Sequence, residues 1–195
     1  TSFDKNKSVI TYKNLEPRLG ASIKIGENSS LKASYARINQ YIQNIYNTST
    51  PLPTSRWKTS DFYIKPQLSD TFGFGFFQNF NSLGLEFSAE SYYRSTNNTL
   101  TYKPGADFFL AEFIERELIQ GKGRNYGLEI TLKKPSGKLS GFINYTWARS
   151  LLKTDEQQTK NKINSNKWYP SEFDRPHTFN ATLSYESDLY NEYSF

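Results

Sequence analysis

The feature that most constrains this chain is a two-residue alternation of apolar and polar side chains, which recurs in seven stretches. Leu128, Ile130 and Leu132, for example, alternate with Glu129 and Thr131. Successive side chains of a β-strand point to opposite faces, so this period indicates strands with one apolar and one polar face. The other six stretches lie near residues 19–25, 31–35, 72–76, 83–89, 139–147 and 179–185. The sequence therefore predicts an all-β fold of seven or eight strands.

The composition favours strands and argues against several classes of function. Only 36% of the residues are hydrophobic but 16% are aromatic, and aromatic residues favour strands over disorder. The chain has no cysteine and one histidine, which excludes disulfides and zinc–thiolate sites and argues against a histidine-built metal site. The net charge of +5 comes from scattered single charges, so nucleic-acid binding is not expected.

The connections between the predicted strands alternate between short and long. Tight turns are predicted near Asn28, Asn81 and Ser136, whereas the connections at 40–68, 95–122 and 153–177 are long. Soluble domains seldom contain a structureless loop longer than about 15 residues. Outer-membrane barrels combine short periplasmic turns with long extracellular loops, and closure of the barrel satisfies the backbone within the bilayer. The pattern therefore predicts part of an antiparallel transmembrane β-barrel.

The alternation also predicts which side chains face the lipid. At roughly 2.5 Å of rise per residue, Tyr145 and Trp147 lie near the upper edge of an apolar band about 25 Å tall, as does Tyr93. An aromatic girdle is expected at that height. The predicted lipid-facing residues are Leu128, Ile130, Leu132, Ile143, Tyr145, Leu183 and Tyr185. The predicted lumen-facing residues are Asn125, Glu129, Thr131, Asn144, Thr146, Asn180 and Thr182.

One segment of the chain has a specific resemblance to a known family. Residues Gly121–Glu129, GKGRNYGLE, resemble the G-K-G-x-x-Y-G-L-E strand of TonB-dependent outer-membrane receptors of the Bacteroidetes type. The flanking segments Glu90–Arg94, Lys138–Gly141 and Phe173–His177 are similar in order and spacing. The resemblance covers roughly residues 15–185, and none of its motifs is catalytic.

The resemblance implies an architecture larger than this chain. Such receptors have a barrel of about 22 strands closed around an N-terminal plug. We therefore expect residues 1–195 to be part of a single barrel domain, with the plug domain, the TonB box and the signal peptide absent from this chain. A natural C-terminus at Phe195 is the alternative to a chain that stops as the next strand begins.

The resemblance also implies a function, the import of a scarce nutrient across the bacterial outer membrane. The nutrient classes are siderophores, glycans, peptides and vitamins. The implied partners are outer-membrane lipid and lipopolysaccharide, the receptor's own plug domain, the TonB complex acting through the absent N-terminal region, and a surface lipoprotein. The alternatives are an outer-membrane adhesin or structural barrel without transport, and a soluble β-barrel ligand carrier, against which the long loops argue.

Five aromatic residues in the predicted long loops are candidates for ligand binding. The alternative is that they pack loop against loop. These residues are Trp57, Tyr63, Tyr102, Trp168 and Tyr169. Basic residues of the same loop regions face outside and are expected to meet lipopolysaccharide phosphates or solvent. They are Lys58, Lys65, Lys103, Lys122, Arg124 and Lys167.

No catalytic residue, metal ligand or cofactor is predicted, and the protein is not expected to be an enzyme. His177 has no nucleophile motif near it and is interpreted as the start of a strand at the membrane interface. Glu86, Glu90, Glu129 and Glu186 fall on polar strand faces, where lumen-facing groups explain them better than paired glycosidase carboxylates.

The conformation of Asp107–Gln120 is left open between two alternatives. An amphipathic helix would have Asp107 as its N-cap and Gly121 beyond its end, but its apolar stripe is imperfect. The resemblance instead implies a strand from Arg116 onward. A strand after Glu115 is the favoured prediction.

Overall fold

The computed structural model describes residues 10–45, 56–106, 113–154 and 162–187, and strands make up most of them. In chain order these strands are β1 (Arg18–Lys24), β2 (Ser29–Gln40), β3 (Ile42–Ile45), β4 (Arg56–Thr59), β5 (Gln67–Phe80), β6 (Leu85–Tyr102), β7 (Leu118–Lys134), β8 (Leu139–Thr154), β9 (Tyr169–Pro170) and β10 (His177–Tyr185). The main sheet has the order β1-β2-β5-β6-β7-β8-β10, with β9 added to β8. All of its pairs are antiparallel, and β3 pairs with β4 in a separate hairpin. The predicted all-β fold of seven or eight strands is confirmed.

The three predicted tight turns join β1 to β2, β5 to β6 and β7 to β8. In the second turn the Gly84 N–H donates to the Asn81 carbonyl at 3.3 Å. Gly84 has φ +60° and Gly137, in the third turn, has φ +105°. A residue without a Cβ adopts such angles without steric cost, which explains glycine at both turns.

The long connections are shorter than the sequence predicts. The predicted connection at 95–122 reduces to residues 103–117, because β6 continues to Tyr102 and β7 begins at Leu118. The extra pairs mix polar and apolar residues, such as Ser95 with Arg124 and Tyr102 with Leu118. Strand pairing satisfies backbone groups whatever the side chains, so these strands continue beyond the region where their apolar and polar residues alternate.

The segment before β7 forms a short turn. Residues Ile114–Glu117 form a 3₁₀ turn, and the strand begins at Leu118. Arg116 therefore lies in the turn, and the favoured strand starts slightly later than predicted. Residues 107–112, including the proposed helix start at Asp107, lie outside the described residues.

The ladder separates two faces of the sheet, as the alternation predicts. Leu128 is opposite Trp147, Ile130 is opposite Tyr145, and Tyr145 is opposite Phe179. Opposed side chains point to the same face, so all the predicted lipid-facing residues share one face, which we call the outer face. The predicted lumen-facing residues share the other, which we call the inner face.

Aromatic residues form one register row across the outer face. Tyr35, Phe72, Tyr93 and Tyr126 are successive partners across β2, β5, β6 and β7. The rings of Tyr35 and Phe72 are 5.0 Å apart between centroids, and Tyr126 is 5.8 Å from Trp147. This aromatic row has the position expected of an interfacial girdle.

The buried apolar residues lie beyond the sheet's regular part. Among the described residues these are Ile45 in β3, Ile64 before β5 and Ile119 at the start of β7. They lie where the β3–β4 hairpin and the segment preceding β7 meet, at the end of the sheet opposite the tight turns, which we call the loop end. The described residues contain no helix long and apolar enough to cross a membrane.

Candidate functional site

A cavity of about 270 Å³ lies on the inner face at the loop end. Its floor comes from neighbouring strands, because Arg94 on β6 is opposite Asn125 on β7, and Asn125 is opposite Ser150 on β8. Asn44 of the β3–β4 hairpin and the segment 171–173 add further walls. The lining is mixed: Ser, Thr, Asn and Gln side chains and the charges of Arg94 and Glu172 alternate with apolar and aromatic residues, which are Ile45, Leu100, Tyr102, Leu118, Leu152 and Phe173.

A β-bulge in β6 shapes the upper wall of this cavity. The register between β6 and β7 shifts between Asn97 and Thr99, and Asn98 has φ +57°. Asn98 Nδ2 donates to the Pro66 carbonyl at 2.9 Å, which holds the bulge against the chain entering β5. Thr96 and Thr99 then both face inward, although they are an odd number of residues apart. The bulge thus adds a hydroxyl-bearing residue to the lining.

The β3–β4 hairpin is fixed to the segment before β7 by an ion cluster. Lys58 Nζ lies 2.7 Å from Asp61 Oδ2 and also bonds Glu115 Oε1. Partial burial opposes the charge on Lys58, but the hydrogen bonds to both carboxylates outweigh it and raise its pKa. Burial likewise opposes the charge of Asp61, yet Lys58 and the N–H groups of Ile64 and Tyr63 lower its pKa. The Glu115 pKa is lowered chiefly by Lys58.

A second attachment holds the segment 171–173 against β8. Asp174 accepts hydrogen bonds from Arg149 Nε at 3.1 Å and from the Ser150 N–H at 2.6 Å, and its side chain is only 5% exposed. The Ser171 N–H donates to the Ser150 carbonyl at 2.8 Å. The motif 173–177 therefore positions part of the cavity wall.

The structure brings two of the five predicted aromatic residues together. Tyr102 lines the cavity, and Tyr169 is hydrogen-bonded to Thr101, the residue that precedes Tyr102. Burial raises the pKa of Tyr169, and the neighbouring Tyr102 adds to the increase. Both residues belong to strands, β6 and β9, rather than to loops.

The other three candidates lie elsewhere. Trp168 packs its ring against Arg124, whose guanidinium carbon is 4.4 Å from the ring centroid. Trp57 and Tyr63 are 70% and 62% exposed, and neither lines the cavity. The sequence predicts that Asn125 faces the lumen but does not connect it with Arg94 and Ser150; only the cross-strand register reveals that the three are neighbours.

His177 begins β10, as predicted, and lies on the outer face. Its Nδ1 is 2.8 Å from the Tyr145 hydroxyl, and the two rings are stacked. Among the described residues, no group of three or more His, Cys, Asp or Glu side chains is placed to hold a metal ion.

A second, larger cavity of about 640 Å³ lies on the inner face nearer the tight turns. Its wall includes Gly73, Gly75 and two acids, Glu90 and Glu129, which are directly opposed across β6 and β7. Asn144 Nδ2 donates to Glu129 Oε1 at 2.8 Å. Two carboxylates that are directly opposed across strands repel each other. A cationic side chain beside Glu90 and Glu129 would therefore be stabilising.

The family comparison agrees with the strand pattern and the two faces. A family model described as "TonB dependent receptor-like, beta-barrel" matches residues 1–194, and the chain belongs to this family. The family consists of barrels of TonB-dependent outer-membrane receptors, so the predicted class of protein is confirmed. No curated protein and no solved structure matches the chain. The Bacteroidetes type stays a prediction.

Proposed function

We propose that the receptor containing this chain lies in the bacterial outer membrane and imports a scarce nutrient that it captures at the loop end. The observation that carries this proposal is the cavity whose floor is barrel strand and whose walls are loop segments held by ion pairs. A ligand there touches both the loops and the lumen. Movement of a plug below it would then open a route inward.

The lining favours a ligand that carries both hydrogen-bonding groups and apolar surface. Amide and hydroxyl side chains such as Asn125, Thr96 and Ser150 form the floor, and Arg94 and Glu172 carry opposite charges. Among siderophores, glycans, peptides and vitamins, this lining suits a ligand with both polar and apolar parts and little net charge. Tyr102 supplies aromatic surface in the lining, and Tyr169 is bonded to the adjacent Thr101. Tyr169, Trp57, Tyr63 and Trp168 are further contact candidates on the surrounding surface.

The inner face and the loop end each suit a different partner of such a receptor. The plug domain would occupy the inner face, where the cavity beside Gly73 and Gly75 leaves space and where Glu90 and Glu129 suit a basic side chain. The TonB complex would act through the region N-terminal to the barrel. A surface lipoprotein would bind at the loop end, where Trp57 and Tyr63 are exposed.

The test compares one substitution on opposite faces of the sheet. Ser150→Tyr fills the cavity floor, whereas Ser95→Tyr places the same side chain on the outer face. We expect a strain lacking the gene to lose growth on one nutrient class, and Ser150→Tyr but not Ser95→Tyr to fail to restore it. Both proteins should reach the outer membrane as folded barrels.

Normal uptake of every nutrient class in the deletion strain would contradict import and favour the adhesin. Equal uptake by the two variants would place the ligand away from this cavity.

A further inference from the structure

The cavity at the loop end carries opposite charges on its two sides. Arg94 on β6 and Glu172 in the segment before β10 are the charged residues of its lining. Neither forms an ion pair with another residue in the part of the chain that the structure describes. Arg94 Nε donates to the Thr71 hydroxyl at 3.0 Å, which fixes the guanidinium and leaves its two terminal nitrogens as donors. The described lining therefore holds one cation and one anion without a counter-charge.

A single register row joins these two charges. Arg94 is opposite Asn125, and Asn125 is opposite Ser150. The Ser171 N–H donates to the Ser150 carbonyl, so Ser171 continues the row beside Glu172. Neighbouring strands are about 4.8 Å apart, so three strand spacings separate the Arg94 and Ser171 backbones by about 14 Å.

The floor between the two charges is a chain of hydrogen-bonded polar side chains. Ser171 Oγ donates to Ser150 Oγ at 2.8 Å, and Ser150 Oγ donates to Asn125 Oδ1 at 3.5 Å. Because its oxygen accepts this bond, Asn125 presents its Nδ2 group as a donor. The floor thus offers an amide donor between the cation and the anion.

An insertion between β9 and β10 places Glu172 in the cavity. Residues 171–176 stand against residues 148–150 of β8, because β9 and β10 both pair with that strand. The extra residues bring Glu172 and Phe173 to the lining. Asp174 ties the insertion to β8, as described above. The position of Glu172 relative to Arg94 is therefore set by the sheet.

We propose that this row binds a short peptide by its two free ends, the terminal carboxylate on Arg94 and the terminal ammonium on Glu172. A guanidinium binds a carboxylate through two parallel hydrogen bonds, and a carboxylate accepts hydrogen bonds from an ammonium group. Side chains stand roughly perpendicular to a sheet, so the two charges are also about 14 Å apart. Each hydrogen bond takes about 2.8 Å, which leaves about 8 Å, the length of about two or three extended residues.

A peptide uses every part of this lining. Its carbonyl groups accept from Asn125, and its apolar side chains contact Phe173 and Leu152, which is the next inner position beyond Ser150. A free amino acid is too short to reach both charges, and a neutral glycan carries neither. The inference rests on the proposed function and names the ligand class of the same cavity.

The experiment measures peptide binding to the complete, detergent-purified receptor by isothermal titration calorimetry. The probes are alanyl-leucyl-alanine with free ends, its N-acetylated form, its C-amidated form and free leucine. We expect each blocked end to weaken binding about tenfold, because one charge-assisted contact is lost, and free leucine to bind more weakly than the free tripeptide.

Charge-removing variants assign each end of the peptide to its residue. Glu172→Gln should bind the free and N-acetylated peptides equally but still discriminate against the amidated one. Arg94→Gln should bind the free and amidated peptides equally but still discriminate against the acetylated one. The matched controls are Arg18→Gln and Glu27→Gln, which remove exposed charges outside the cavity and should keep the discrimination of the wild type.

Two results would overturn the proposal. One is equal binding of free and blocked peptides by the wild type, which requires no variant to fold. The other is discrimination that survives in both Arg94→Gln and Glu172→Gln. Growth of the deletion strain tests import separately: loss of growth on another nutrient class, without tripeptide binding, removes the peptide and leaves import standing. Normal growth on every nutrient contradicts import, whereas peptide binding is still measured directly.

Discussion

The part of the sheet below the aromatic row and the loop end are held in different ways. Below the row, β5 to β8 pair in uninterrupted register and present large exposed apolar residues such as Ile130 and Ile143 on the outer face. At the loop end a bulge breaks the register, and partly buried ion pairs and side-chain hydrogen bonds fix the segments. The lower part depends on a repeated pattern, whereas the upper part depends on individual contacts.

The largest expected effect is on the outer face of the lower part. Ile130→Arg places a charge among lipid chains and should lower the free energy of unfolding of the complete receptor by about 2–4 kcal/mol, whereas Thr131→Arg on the inner face should cost far less. Urea titration of the barrel in lipid and the yield in outer membranes measure the difference. If both substitutions have the same effect, or their order reverses, the outer face does not meet lipid.

At the loop end, the buried carboxylate of Asp174 should matter most. Asp174→Ala removes the partner of Arg149 and of the Ser150 N–H, and we expect local opening around β9 to become easier by about 2 kcal/mol. Hydrogen exchange of the 162–176 segment measures this change. The adjacent exposed acid is the control: Glu172→Ala should leave exchange unaltered, and equal effects would show that charge alone, not the Asp174 contacts, holds the segment.

A smaller, pH-dependent effect is expected from the ion cluster of the hairpin. The pKa values of Asp61 and Glu115 are lowered in the folded protein, so their stabilisation is present above the unfolded pKa of about 4 and is lost as pH falls through the folded pKa. Exchange protection of the Ile64 amide, which donates to Asp61, should therefore fall on acidification. Lys58→Met should remove about 1 kcal/mol at pH 7 and flatten this dependence. A profile unchanged by Lys58→Met would contradict the coupling.

The smallest effect belongs to an ion pair within the lower part. Lys133 Nζ and Glu86 Oε2 are 3.6 Å apart and both side chains are about half exposed. Exposed pairs of this kind contribute about 0–1 kcal/mol, so Glu86→Gln should scarcely change the unfolding midpoint, at low or high salt. A loss approaching that of Ile130→Arg would mean that the lower part, too, depends on individual contacts.

The sequence predicts the lower part well for a physical reason. Lipid on one side and a polar lumen on the other impose alternation, so residues such as Leu128 and Glu129 reveal their faces directly. The three turns were equally readable from Asn, Gly and Ser residues. The ends of β6 and β7 are not predictable in this way, because backbone pairing there continues through residues whose polar and apolar side chains do not alternate.

The candidate site was less predictable than the strands. Aromatic content pointed equally to Tyr102, which lines the cavity, to Tyr169, which bonds the adjacent Thr101, and to Trp57, which is outside the lining. The contributions of Arg94 and Ser150 depend on strands that are distant in sequence and on their register. The bulge at Asn98 has no local signature beyond an asparagine, a residue that tolerates positive φ.

The bulge at Asn98 also bears on how such a receptor can diversify. An inserted residue in a regular strand reverses the facing of everything beyond it, and below the aromatic row this would turn apolar residues inward. At Asn98 the extra residue is confined above the row, and the Pro66 carbonyl anchors it. Substitutions and single-residue insertions or deletions beyond this point can therefore change which side chains meet an incoming molecule while the membrane-facing half of β6 keeps its phase. The residues of β6 beyond Asn98 can therefore vary and alter ligand selectivity, while the residues of the same strand that form the transmembrane wall stay constant.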